Sequence, residues 1–445
     1  MPSRCLLSSR AKQDPTLEIN IHGHYESKVY TIGSTISGFV TITAHNQLPF
    51  QSLQIDLRGI TSTCGHAFQY GTPFKTHVFM QLQMPISASA LPVKQSFEPG
   101  KLYHVPFRFA IPEQLSSTTC NHQNKAVRER HLQPPPTMGS WDRDDLAGGS
   151  ANVDYVIRAR LVLNKNKRGG EQYLDKSRSV KVIPALPEQP PLHISPDNSD
   201  YCLSKSKTIR KGVIGTKMGV VRALATQPEP ILLSLDGLNA SGSQIPIDLE
   251  YIPVSTSAVI PEIRVKSATI ETSTNFWLGI DGYLPDRHEK PSNSVAPAAP
   301  WLTSHALVLD GKETVNWQKD RQLVSDKESY RRSSEPVHIL KDCAEPHFAS
   351  RSTSCASHWD SDSSKSRAYK TSLSQSFELP TDESLFLPTF YSCLISRTYR
   401  IRVTLAIGAY GSTISLVVPL QVIANVLDNT QHHDQLNSVS AIATL

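Results

Sequence analysis

Between Val153 and Leu163 the sequence VDYVIRARLVL places an apolar residue at every second position: Val153, Tyr155, Ile157, Ala159, Leu161 and Leu163. Successive side chains of an extended strand point to opposite faces, so a period of two buries one face and wets the other, whereas a helix needs a period near 3.6. The interleaved Asp154, Arg158 and Arg160 mark the wet face. Shorter runs of the same kind precede it: Leu17, Ile19 and Ile21; Ile36, Gly38, Val40 and Ile42; Leu53, Ile55 and Leu57. Thr76 to Met84, Lys101 to Ile111 and Tyr173 to Ile183 read as further strands, until Pro184 and ALPEQPP break the pattern. About eight strands without a convincing amphipathic helix between them argue for an antiparallel sandwich and against a parallel α/β sheet.

From Ser204 the texture returns. Lys211 to Leu224, Ile231 to Leu235, Ile247 to Val254 and Ile263 to Thr269 read as strands; Tyr399, Ile401, Val403, Leu405 and Ile407 alternate, as do Ile414, Leu416 and Val418. GAYGS, Gly408 to Ser412, separates those last two runs at hairpin length. A chain of 445 residues exceeds the usual size of one domain, and a second sandwich split by an insertion accounts for the length. Ser325 to Ser376 holds fifteen serines in 52 residues and only five Leu, Ile, Val or Phe, too little apolar area to offset ordering entropy, and reads as disordered. HEKPSNSVAPAAP, His288 to Pro300, reads as flexible too. The expected organisation is a flexible start over 1–14, a sandwich over 15–190, a linker over 191–204, a second sandwich over 205–425 interrupted by a flexible insertion at about 285–380, and a tail over 426–445.

Composition narrows the function classes. Lys and Arg total 45 against 40 for Asp and Glu, and a net charge of +5 is too small to argue for nucleic acid. Seven cysteines, odd in number and without a CxxC pair, fit a reduced intracellular setting. MPSRCLLSSRAKQDP lacks the apolar core of a secretory signal, and no stretch approaches the roughly eighteen apolar residues of a membrane span. A cytoplasmic protein with peripheral membrane contact only is expected.

Catalytic motifs are absent from the sequence: it contains no GxSxG, HExxH, GxGxxG or GxxxxGK[ST]. A non-enzyme is expected, with no cofactor and no metal. His22 and His24, spaced i and i+2 on one strand face, present two imidazoles without a third ligand, and exposed polar positions explain them better. Asp142, Asp144 and Asp145 suit solvated loop charges or helix-start caps, with cation binding the alternative.

The connection from Pro112 to Asn152 carries HLQPPPTMGSWDRDDLA, His131 to Ala147. Val127, Leu132, Trp141 and Leu146 suit a crossover packed onto the sandwich, while Pro134 to Pro136 hold the backbone extended; a partner-binding loop is the alternative. NKNKRGG sets Lys165, Lys167 and Arg168 at a hairpin tip, a candidate cargo or anion site for an acidic or phosphorylated tail or anionic headgroups, with a solvated turn the alternative. In RRSSEP, Arg331 and Arg332 precede Ser333 and Ser334, the pattern of a basophilic kinase site that adds about two negative charges when modified.

FEPGKLYHVPFRFAIPEQL, the segment with Cys120, Asn121 and His122, VRERHLQPPPTMGSWDRDDLA and VDYVIRARL together resemble the amino-terminal domain of fungal arrestin-like proteins. LEINIH and YTIGSTISGFVTI look like the first arrestin strands, and FLPTFYSCLISRTYRIRVTL with ISLVVPLQV resembles the last strands of the arrestin carboxy-terminal domain. The resemblance implies an all-β chain of two tandem immunoglobulin-like β-sandwiches, working as an arrestin-related trafficking adaptor. Such adaptors dock on cytoplasmic tails of membrane transporters or receptors and recruit a HECT-type ubiquitin ligase through PPxY motifs, driving endocytosis; the implied location is cytoplasmic, with transient residence at the plasma membrane or endosomes. Here PPPT, PPLH and YLPD contain no PPxY, and LPxY is absent too, so another adaptor or a non-standard contact would have to supply the ligase. A signalling or retromer-like sorting scaffold without a ligase link is the alternative.

Overall fold

The computed structural model describes residues 14–64, 74–164, 172–195, 198, 200–211, 215–255, 257–276, 301–309, 315, 317–319, 368–408 and 411–425. The first half forms β1 (Thr16–Ile21), β2 (Val29–Tyr30), β3 (Thr35–Thr43), β4 (Leu48–Cys64), β5 (Phe74–Gln83), β6 (Ser96–Phe97), β7 (Leu102–Ala110), the short helix α1 (Lys125–His131), β8 (Ala151–Leu163) and β9 (Tyr173–Val182). The second half forms β10 (Ser204–Arg210), β11 (Lys217–Ala225), β12 (Ile231–Leu233), β13 (Ser243–Pro253), β14 (Ile263–Phe276), β15 (Trp301–Ala306), β16 (Gln318–Lys319), β17 (Tyr369–Phe377), β18 (Phe390–Tyr391), β19 (Ile395–Ile407), β20 (Ser412–Leu420) and β21 (Val422–Ala424).

Alternation becomes layering directly. In the first half a sheet ordered β1-β3-β7 stacks on one ordered β2-β9-β8-β4-β5, with β6 alongside β4. Ile36, Val40, Ile42, Val105 and Phe107 from the smaller sheet share one core with Ile55, Leu57, Val153, Tyr155, Ile157 and Leu161 from the larger. The second half stacks β10-β11-β13-β17-β16 on β15-β14-β19-β18, with β20 paired to β19. Its core interleaves Val221, Ile247, Leu249 and Phe377 with Ile270, Ile401, Val403, Leu405, Leu416 and Val418. The chain is thus all-β, as the period of two requires. Most strand pairs are antiparallel; β2 with β9 and β12 with β21 are short parallel exceptions.

Two readings of the sequence change. Lys211 to Leu224 is not one strand, because β10 and β11 form an antiparallel pair with Ser204 opposite Leu224, and the chain turns between them. The stretch read as a flexible insertion contains β15, β16 and β17, and β17 lies between β13 and β16. In YKTSLSQSF the inward Leu373, Gln375 and Phe377 are buried while Ser372, Ser374 and Ser376 take the other face. Serine on the wet face of a sheet is ordinary, and averaging over 52 residues hid the alternation. His288 to Pro300 and residues 320–367 lie outside the described residues.

Gly38 fixes how closely β1 approaches β3. It pairs with Ile21, and a Cβ built there would lie 2.0 Å from the main-chain oxygen of Asn20 and 2.8 Å from the Phe107 ring. Gly38→Ala therefore must push β1 off its register, and we expect it to lower the unfolding free energy by about 1–3 kcal/mol in urea denaturation. A wild-type midpoint would show that β1 adapts without cost.

Candidate functional site

The two sandwiches meet along a seam built by the crossover between β7 and β8 and by the chain entering β18 and β19. Pro134, Pro135 and Pro136 are all buried. Proline has no N–H to leave unsatisfied, so such a strap enters a core at low cost once its carbonyls find donors. The Tyr155 hydroxyl donates to the Pro135 carbonyl at 2.7 Å, and Thr137 N–H donates to the Val182 carbonyl at 2.8 Å. Trp141 is half-buried, its indole N–H donates to the Thr137 carbonyl at 2.8 Å, and the Lys181 ammonium sits 5.1 Å above its ring. The prolines are packed structure, and the stretch behaves as a crossover.

Val127, Leu132 and Leu146 are buried, yet not only on their own sandwich. Val127 of α1 packs on Tyr391 of β18. Leu146, at φ +61, joins the second core while its neighbour Ala147 joins the first. From the other side Leu385 and Leu387 join the first core while Phe386 joins the second. Hydrogen bonds to main-chain carbonyls stitch the edges together: Leu385 N–H donates to the Asp144 carbonyl at 2.8 Å, the Thr274 hydroxyl donates to the Leu146 carbonyl at 3.1 Å, and the Arg143 guanidinium donates to the Thr381 carbonyl.

At the centre lies Arg397, with 0% of its area exposed. Its Nε donates to the Thr274 hydroxyl at 3.0 Å, one Nη to the Asp145 carbonyl at 2.9 Å, and the other Nη faces the Met138 sulfur at 3.3 Å. The Asp145 carboxylate is buried beside it and accepts from Gly139 N–H at 2.5 Å and Ala147 N–H at 3.2 Å. Burial raises the Asp145 pKa, opposed by the Gly139 bond and by the Arg397 charge. Asp145 is therefore no solvated loop charge; Asp142 is exposed, and Asp144 caps Leu146 N–H at 2.9 Å. Gly139 makes the approach possible at φ +81, where a Cβ would meet the Ala151 carbonyl oxygen at 2.9 Å.

A second buried cluster lies on the same seam. Cys120 follows β7, His131 ends α1 and Cys393 sits in the turn from β18 to β19; each is at most 2% exposed. Cys120 Sγ lies 3.4 Å from His131 Nδ1, and one donor atom from each of the three residues falls within 4.8 Å of the others. A hydrogen bond from the Cys393 thiol holds Cys120 down to about 4, against burial and with help from His131. The same contact, with burial, pushes the Cys393 thiol up. Sequence reading missed this cluster because Cys120 and Cys393 come from opposite halves and no metal-ligand spacing announces them.

The sites expected from the sequence fare differently. Lys165, Lys167 and Arg168 lie outside the described residues, as do Ser333 and Ser334. His22 and His24 are separated by a turn after β1 at Gly23, φ +58, so they share no strand face. His22 sits against Phe39 and His24 stacks on Tyr30. No helix among the described residues is long and apolar enough to cross a membrane.

Two sandwiches in tandem, locked at a buried polar seam, define an arrestin-like architecture. Residues 307–424 match the family model described as the Bul1 C terminus, a family of fungal arrestin-related trafficking adaptors, and the match takes in β16 to β21. No curated protein matches the chain.

Breaking a buried charge at this seam has a defined cost. Arg397→Met leaves Asp145 buried without its cation, and we expect a loss of about 3–5 kcal/mol of stability. Adding Asp145→Asn should return part of that loss, and strictly additive effects in the double-mutant cycle would show that the two side chains do not act as a pair.

Proposed function

We infer that the protein is a non-catalytic arrestin-like adaptor that binds cytoplasmic segments of membrane-protein cargo and promotes their ubiquitin-dependent endocytosis or trafficking. The observation carrying this reading is the match of residues 307–424 to an adaptor family, in an all-β chain of two stacked-sheet halves. On this reading the protein works in the cytoplasm and visits the plasma membrane or endosomes through its cargo. Transporter or receptor tails are the cargo, and a HECT-type ubiquitin ligase is the downstream partner.

Because the 445 residues hold no PPxY, the ligase is reached through another adaptor or a non-standard contact. Pull-down with a WW-domain ligase should retain the protein when a PPxY-bearing adaptor is present and far less without one. Loss of the protein should slow cargo turnover. The absence of that motif also favours a second reading, a signalling or sorting scaffold without a ligase link, which predicts no retention in either condition and unchanged turnover.

Lys165, Lys167 and Arg168 are proposed as the cargo contact, and Ser333 and Ser334 as modification sites. Reversing the three charges should weaken binding of an acidic tail more at low ionic strength than at high, since surface charges are screened over about 8–10 Å in ordinary buffer. Binding left unchanged by the reversal at both ionic strengths removes these three residues from the mechanism.

A further inference from the structure

We propose that Cys120, His131 and Cys393 form a zinc site that pins the amino-terminal sandwich to the carboxy-terminal one. Two thiols and an imidazole, all buried, are the donor set that zinc prefers over harder cations. Tetrahedral zinc with Zn–S near 2.3 Å and Zn–N near 2.1 Å sets its donors roughly 3.6–3.8 Å apart. The 3.4 Å between Cys120 Sγ and His131 Nδ1 meets that spacing, and the 4.8 Å envelope of the three donors closes to it by a side-chain adjustment of about 1 Å.

The three donors are held by local structure, which a metal site requires. Asn124 caps α1 by accepting from Ala126 N–H at 3.0 Å and Val127 N–H at 3.4 Å, and this sets the helix whose last residue is His131. The turn carrying Cys393 is closed by Ser392, whose hydroxyl donates to the Ile395 carbonyl at 2.7 Å and whose N–H donates to the same carbonyl at 2.8 Å. Cys393 also lies 3.9 Å from the Thr119 carbonyl, next to Cys120. The fourth position falls to water or to a bordering imidazole. His122 lies with its ring 6.1 Å from that of His131, and its Nδ1 already accepts from Asn124 N–H, which leaves Nε2 for a metal. His77 of β5 lies within electrostatic reach of Cys120 and His131.

Binding is proton-coupled: zinc takes both cysteines as thiolates and His131 through a ring nitrogen, so the one proton shared between Cys393 and Cys120 is released to solvent as two zinc–thiolate bonds and one zinc–imidazole bond form. The site unites residues from both halves of the chain, so the metal acts as an inter-sandwich staple. It adds to the adaptor reading and does not depend on it.

The full-length chain purified without chelator should carry about one zinc, and cobalt exchanged for it should give thiolate-to-cobalt charge-transfer and tetrahedral d–d bands saturating at about one equivalent. Peptide mapping after alkylation should find Cys120 and Cys393 protected until a strong chelator is added, and the chelator should lower the melting temperature by about 5 °C or more. Cys120→Ser and Cys393→Ser should each reduce bound zinc to less than about a tenth. A folded chain that binds neither zinc nor cobalt, a Cys120–Cys393 disulfide in the metal-free native protein, or full zinc content in either folded serine variant overturns the proposal. If the variants do not fold, the cobalt and alkylation measurements on the unmutated chain decide it.

Discussion

A guanidinium removed from water is tolerated only where fixed partners replace the water, and Arg397 finds its partners on both sandwiches. Asp145 and Met138 come from the first, Thr274 from the second. An apolar seam alone tolerates sliding, because dispersion and burial are indifferent to small shifts of register. Hydrogen bonds near 3 Å are directional, and at this burial an unmet donor costs more than a met one gains. The orientation of the two modules follows from that asymmetry. Apolar contacts then fill in around it, with Leu385 and Leu387 turned into one core and Phe386 into the other.

The periodicity of two carried most of the fold because it reports burial directly. Val153 to Leu161, Ile401 to Ile407 and Ile36 to Ile42 all bury the alternate positions that their sequence marks. Elements that lack a run of their own escaped it: β2, β6 and β18 are two residues each and exist only because a neighbouring strand offers them main-chain partners. β17 escaped for a different reason, since its outward serines, set among many others, made a segment with ordinary inward residues read as polar throughout. At the seam, Trp141 and Leu146 were legible as packing residues. What they pack against was not, because Leu146 and Val127 meet groups more than a hundred residues away in sequence. Asp145 and Arg397 were illegible as a pair for the same reason, and so was the Cys120, His131 and Cys393 cluster.

Several strand charges are paired among themselves. Arg58 pairs with Asp56 at 2.6 Å, Arg158 is bound to Asp175, and Arg400 and Arg402 both reach Glu271 at 2.6 Å. Burial alone would raise the Glu271 pKa, but bonds from Arg402 and Arg400 overcome it and hold the carboxyl below its ordinary value. Charges paired in this way offer little net field to a partner. Edge strand β10 differs: Lys205, Lys207 and Arg210 stand exposed along it. Charged side chains on an open edge hinder pairing with a second sheet, which keeps a long β-protein from joining its neighbours through the main chain.

The first core has a property that bears on how the chain is made. Leu385, Leu387, Phe390, Leu394 and Ile395 belong to it, although its own last strand ends near Val182. At synthesis rates of roughly 5–20 residues per second, about 10–40 s separate the emergence of that strand from the arrival of the residues that complete its interior. During that interval the nascent amino-terminal half carries an open apolar flank, so the ribosome-bound chain is a natural client for chaperones until its far end has been translated.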